Sequence, residues 1–172
     1  HNVSSAASDV YKRQQLNMTT KRRYKKTELI QFVFKVLQKV GLNNLNSKTV
    51  AELIVRADVR GVWSHGIVRL PVYIKRIEKK SAKRNPSIKF KKITNNIFHL
   101  SGDNGLGYIA ASVGIKKCVS LAKKNGIGLV GINESNHFGM AANYLEVATK
   151  NKCIAWVLSL IHISEPTRQF RI

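Results

Sequence analysis

Across residues 27–40 the apolar side chains Leu29, Ile30, Phe32, Val33, Val36, Leu37 and Val40 recur at helical spacing, and Gly41 ends the run. A stripe of that period predicts an amphipathic helix with one face toward a core. Residues 42–46 form an asparagine-rich connection, and Ser47 is the expected N-cap of a second helix to about Val59, with Val50, Leu53, Ile54 and Ala57 inward. Gly61 interrupts, and a third helix is expected from His65 or Val68 to Lys80. Beyond the basic connection at residues 83–86 the period changes. Residues 87–92 and 96–100 alternate like two short strands joined at Thr94-Asn95, and residues 102–107 read as a turn-rich loop. Residues 108–124 read as a helix whose small-residue face carries Ala110, Ala111, Val113, Gly114, Cys118 and Leu121. A buried strand at residues 127–132, a helix at 139–150 and the start of a strand at 153–157 complete the pattern. The expected fold class is α/β in mixed α+β form: an N-terminal helical unit at residues 15–82, then part of a mixed-sheet domain at 83–157.

The two ends read differently. Asp9-Val10-Tyr11-Lys12-Arg13-Gln14 can be encoded by GAT GTG TAT AAG AGA CAG, whose reverse complement encodes Leu-Ser-Leu-Ile-His-Ile, the residues at 158–163. Protein selection does not explain an inverted DNA repeat flanking a reading frame. It resembles a transposon-end adapter of shotgun libraries, so residues 1–14 and 158–172 are expected to be adapter-like artefact. On that expectation the natural part starts near Gln15 or Met18, and the break after Val157 is a truncation.

Charge changes the picture less than its size suggests. The chain has 30 basic and 9 acidic residues, a net charge of +21; without the flanks the balance is 26 to 7. Such an excess raises a basic nucleic-acid-binding module as an alternative reading. Yet most of the cations are lysines, many in pairs on solvated faces, and no zinc-finger spacing or RNA-binding aromatic signature accompanies them. An anionic small-molecule substrate would still be drawn by this field. Cys118 and Cys153 form no CxxC pattern and read as reduced, small apolar side chains. No apolar run is long enough to span a bilayer and no leader precedes Met18, so the expectation is a cytoplasmic protein without a membrane partner.

Candidate chemistry gathers in two blocks. In the first, Ser64-His65-Gly66 lies between helices and Arg69 follows His65 at i+4, where the two could share a helical face. A guanidinium can grip a carboxylate with two parallel hydrogen bonds, and an imidazole titrates near neutrality, so the pair suits a 2-oxo acid. In the second, Asn136-His137-Phe138-Gly139 follows a strand and opens a helix, where ligands commonly sit in mixed sheets. Gly102-Asp103-Asn104-Gly105-Leu106-Gly107 invites reading as a phosphate loop, but its GxxGxG order reverses the dinucleotide fingerprint and favours a tight turn. The histidines and cysteines show no metal-ligand spacing.

Together the blocks resemble a known family. Residues 57–73, Ala-Asp-Val-Arg-Gly-Val-Trp-Ser-His-Gly-Ile-Val-Arg-Leu-Pro-Val-Tyr, are similar to the signature ADLRGVDSHGxxRLPxY of the malate/L-lactate dehydrogenase-like oxidoreductases, which include sulfolactate, ureidoglycolate and diketogulonate enzymes. Gly102–Gly107, Gly126-Ile127-Gly128 and Ser135-Asn136-His137-Phe138-Gly139 follow in the family's order. The resemblance covers residues 24–157, less than half of a full member. It implies an NAD- or NADP-dependent 2-hydroxy-acid dehydrogenase, homodimeric, with a nicotinamide-binding fold that is not of Rossmann type. It further implies His65 as the acid/base, Arg69 and Ser64 as substrate-binding residues, and His137 as a second catalytic group. The main cofactor contacts would lie beyond residue 157, and this chain alone is expected to have little or no activity. Trp63 departs from the signature, standing where an acidic residue is usual.

Overall fold

A computed structural model describes residues 23–159. Helix α1 (Lys26–Lys39) packs on α2 (Asn44–Val59), and the expected stripes supply the contact: Val33 and Leu37 from α1, and Val50, Leu53, Ile54 and Ala57 from α2, are buried. Phe32, on the edge of the α1 stripe, is exposed. Helix α2 begins three residues before the expected cap. Asn43 takes that place, its side-chain oxygen accepting from the Asn46 N–H at 2.8 Å, while Ser47 is buried inside the first turn with its hydroxyl donating to the Leu42 carbonyl. Asparagine caps as well as serine does, and here its position lets both ends of the connection be satisfied.

After α2 come two single 3₁₀ turns, Trp63–His65 and Ile67–Arg69, and then α3 (Leu70–Glu78), with Pro71 in its first turn where a missing N–H costs nothing. Strands β1 (Lys89–Lys92) and β2 (Ile97–Gly105) pair antiparallel, with Phe90 opposite Leu100. Helix α4 (Gly107–Asn125) crosses back to β3 (Leu129–Ser135), which pairs parallel to β2, with Leu100 opposite Ile132. A parallel pair needs such a crossover connection. Helix α5 (Ala142–Lys150) follows.

Three expectations fail here. The stretch at 102–107 is not a loop: β2 continues through it with an irregularity at Asp103 and Asn104, both at positive φ, which Asx residues tolerate. Strand β3 is not buried; only one face meets α4, where Gly114 lies against Ile132 and Val130, while Leu129 is 53% exposed. Its far face joins Ile93, Ile97 and His99 in lining an open cleft of about 420 Å³. Residues 153–159 carry no regular structure, so no strand begins at Cys153. Of the segments expected to be adapter-like, 1–14 and 158–172, all but residues 158 and 159 lie outside the described residues.

One core runs through both halves. Tyr73 and Ile77 of α3 join the α1–α2 residues, Leu106, Tyr108 and Ile109 at the start of α4, and Tyr144 of α5. Both cysteines are free and half-buried, and no helix among the described residues is long and apolar enough to cross a membrane.

Candidate active site

Gly66 leaves helical dihedrals (φ −91°, ψ −149°), so the segment from Trp63 to Arg69 cannot run on as an α-helix and breaks into the two 3₁₀ turns. Asp58 holds the break in place: its Oδ2 accepts from the Ile67 N–H at 2.8 Å. A Cβ on residue 66 would fall within the Asp58 carboxylate, so only glycine fits beside it. His65 and Arg69 therefore do not share an α-helical face as their spacing suggests. Arg69 instead folds back over the turn, its Nε donating to the Ser64 carbonyl at 2.7 Å. Its terminal nitrogens make no hydrogen bond among the described residues. The His65 ring lies with Nδ1 2.9 Å from the Ser64 hydroxyl. Trp63, at 70% exposed, faces solvent.

The second block is anchored through Asn136. Its backbone N–H donates to the Gly105 carbonyl (3.2 Å) and its side-chain amide to the Asn104 and Gly105 carbonyls (3.1 Å each), while its oxygen accepts from Arg76 at 3.0 Å. Gly107, at the start of α4, has the backbone of Asn136 and His137 pressed so closely against it that no Cβ could be accommodated. From this seat the His137 ring is gripped at Nδ1 by two neighbours, the Tyr73 hydroxyl at 2.8 Å and the Gly139 N–H at 3.3 Å. Tyr73 in turn is hydrogen-bonded to Tyr108 at 3.2 Å, and Tyr144 donates to the Phe138 carbonyl.

The fold brings the two blocks together. The His65 and His137 rings stack at 5.5 Å between centroids, tilted by 30°. Burial, followed by the nearby positive groups His65, Arg69 and Arg76, holds the His137 imidazole below its ordinary value. Burial also pushes the Tyr73 hydroxyl up, against the opposing effect of its Tyr108 hydrogen bond, and pushes Tyr108 and Tyr144 up more strongly. All three tyrosines therefore stay protonated at neutral pH and act as hydrogen-bonding groups. The result is a neutral imidazole beside an exposed guanidinium, a setting that favours an anion with a polar oxygen next to it.

All four residues expected at the site, Ser64, His65, Arg69 and His137, are thus neighbours, although His137 lies far along the chain from the first block. Asp58, Tyr73, Arg76 and Asn136 also hold it together, and sequence reasoning assigned them no role. Tyr73 had one available signal: it continues the i, i+4 spacing from His65 through Arg69.

The segment weighed as a phosphate loop does not build a dinucleotide site. Asp103 is occupied by an ion pair with Lys83 and by the Ser87 N–H, and Gly107 is occupied by the Asn136–His137 backbone. Among the described residues the site is a cluster of two histidines, an arginine and a serine. No group of three or more histidine, cysteine or acidic side chains positioned to hold a metal is found among them.

Known proteins resemble this chain in sequence and in fold. The malate/L-lactate dehydrogenase profile matches residues 24–162. The malate/(S)-sulfolactate dehydrogenase of Methanothermus fervidus is 38% identical over 122 residues, covering 71% of this chain and 36% of that protein. The structure of malate dehydrogenase from Pyrococcus horikoshii OT3 matches with a TM-score of 0.73 at 35% identity, covering 75% of this chain and 37% of its own. Sulfolactate dehydrogenase from Methanocaldococcus jannaschii gives a TM-score of 0.71 at 32% identity, covering 73% and 37%. The chain spans little more than a third of the length of these relatives. Because the profile match takes in both histidine blocks and most of the chain, the chain belongs to the malate/L-lactate dehydrogenase family.

Proposed function

We propose that the whole protein transfers a hydride between NAD or NADP and a small 2-hydroxy or 2-oxo acid, and that the residues described here form the substrate side of its active site. The observation that carries this reading is the stacking of His65 on His137 beside the free end of Arg69. Relatives named for malate and sulfolactate, both small hydroxy-acid anions, support it. None of the three is named for nucleic acid, and the alternative of a basic nucleic-acid-binding module gains no support from them.

Each side chain has a definite task in this scheme. Arg69, fixed through Nε, offers its two terminal nitrogens to the substrate carboxylate in the paired geometry that guanidinium and carboxylate share. His65 gives a proton to the carbonyl oxygen in the reductive direction and takes it back in the oxidative one. Ser64 steadies the His65 ring through Nδ1 and leaves Nε2 for the substrate. His137, stacked on His65, faces the same oxygen. Hydride chemistry belongs to the nicotinamide, and these residues supply binding, orientation and the proton. The proposal extends to a homodimeric, cytoplasmic whole protein.

Titration of the isotopically labelled chain with oxaloacetate, read at the His65, Arg69 and His137 resonances, tests the site. Shifts at all three, lost in Arg69→Ala, are expected; unperturbed resonances would refute the assignment. Because the chain spans little more than a third of its relatives' length, it is expected on its own to oxidise no NADH with a panel of 2-oxo acids. Measurable turnover would overturn that expectation.

A further inference from the structure

The Gly139 N–H can only donate, and it points at Nδ1 of His137 from 3.3 Å. An Nδ1 that accepts one hydrogen bond carries no proton of its own in the neutral ring. The Tyr73 hydroxyl, 2.8 Å from the same atom, must then donate as well, and its oxygen is left to accept from Tyr108 at 3.2 Å. The chain of hydrogen bonds thus has one direction: Tyr108 to Tyr73, Tyr73 to Nδ1. The single proton of the ring is left on Nε2.

We propose that Tyr73 is a positioning residue that, with the Gly139 N–H, locks His137 as the neutral Nε2–H tautomer, so that His137 donates a hydrogen bond to the substrate oxygen and leaves proton transfer to His65. The inference rests on the reading of these histidines as the substrate side of a dehydrogenase site. Its physical basis is local. Protonating Nδ1 would bring a third proton to an atom that already faces two, and would require Tyr73 to turn its hydroxyl away and the Gly139 N–H to lose its acceptor. Arg69, Arg76 and His65 face the ring and add their own opposition to a second positive charge there. A neutral imidazole held this way is a polarising hydrogen-bond donor. His65 differs: its Nδ1 faces a serine hydroxyl, which turns between donating and accepting and so fixes neither tautomer.

The test is two-bond ¹⁵N–¹H correlation spectroscopy of the ¹⁵N-histidine-labelled chain near neutral pH, which distinguishes the tautomers directly. Expected is a single Nε2–H form for His137, with an imine-type Nδ1 displaced toward the hydrogen-bonded range. An Nδ1–H form, or fast exchange between the two, overturns the proposal. In Tyr73→Phe, which keeps the ring and removes only the hydroxyl, the Nδ1 resonance should move downfield toward an unbonded imine, and Tyr108→Phe should produce a smaller shift of the same sign. An unmoved Nδ1 in folded Tyr73→Phe overturns the assignment of Tyr73, and the wild-type spectrum decides the tautomer if that variant does not fold. Oxaloacetate titration separates this inference from the function on which it rests. A locked tautomer with no response to the acid would preserve the local geometry and remove the proposed substrate, whereas a response from an unlocked ring would do the reverse.

Discussion

His65 and His137 reach the same place by opposite means. His65 is placed through its backbone: Asp58 pins the turn, Gly66 lets it pass, and the ring's one hydrogen bond among the described residues is to a serine hydroxyl. His137 is placed through its ring, which two donors hold at one nitrogen, while its backbone is pressed against the start of α4. The first arrangement holds an imidazole by one hydroxyl that can donate or accept, and the second fixes one that need only donate. A site with two histidines can thus divide proton transfer from polarisation by how each is held.

The most damaging way to disturb the contrast is on the His137 side. Gly107→Ala would place a methyl against the backbone of Asn136 and His137, which cannot swing aside as a side chain would. We expect a loss of roughly 4 kcal/mol in urea unfolding, or failure to fold, with the β3–α5 connection displaced. Gly66→Ala meets a side chain instead, the Asp58 carboxylate, and should cost about 2–3 kcal/mol. Asp58→Ala alone loses the bond to the Ile67 N–H and should cost about 1–3 kcal/mol. The double variant is then decisive: Gly66→Ala in an Asp58→Ala background should add little further loss. Full additivity would show that the carboxylate is not what excludes a larger residue.

These glycines show where the sequence was legible and where it was not. The apolar periods of α1 and α2 state their buried faces directly, because burial on one side of a helix leaves a repeating mark. The histidine blocks could be found because small residues beside a histidine are unusual and because the blocks match a known signature. Neither the stacking of the rings nor the part played by Tyr73 leaves a local mark, since both depend on α3 and α4 delivering distant residues to one point. The exposure of β3 leaves no mark in the sequence for a related reason. An apolar run records what a strand is suited to bury, and the described residues cover only one face of it. The glycines at 102–107 suggest a loop because turns and close backbone approaches use the same residue.

The two histidines should also separate in their effect on stability with pH. His137 is held below its ordinary value of 6.5, so just below that value the unfolded chain binds the proton more readily than the folded one. Its contribution is present in full above about pH 6.5 and is lost as the pH falls through the lowered folded value. Glu146, held below its ordinary 4.5 by its hydrogen bond from Lys150 and by Arg56, loses its own contribution at more acid pH. A fall in urea midpoint that begins below about pH 6.5 is therefore expected, and it should flatten in His137→Gln. An identical fall in that variant would place the effect elsewhere.

The smallest expected effect concerns Trp63, which stands next to the Ser64–His65 turn where an acidic residue is usual. If that position steered His65, its loss would loosen the turn and spread the His65 signals over several conformations. The structure gives the task to Asp58 and Gly66, and leaves the indole 70% exposed without a hydrogen-bond partner among the described residues. An exposed side chain away from any cap, core or charge network is usually worth no more than about 0.5 kcal/mol in either direction. Trp63→Ala should therefore leave the unfolding midpoint within that margin and the His65 ring resonances in place. A larger loss, or a displaced His65, would mean that this turn is held from outside as well as from Asp58, and that His65 is less free than its single serine contact implies.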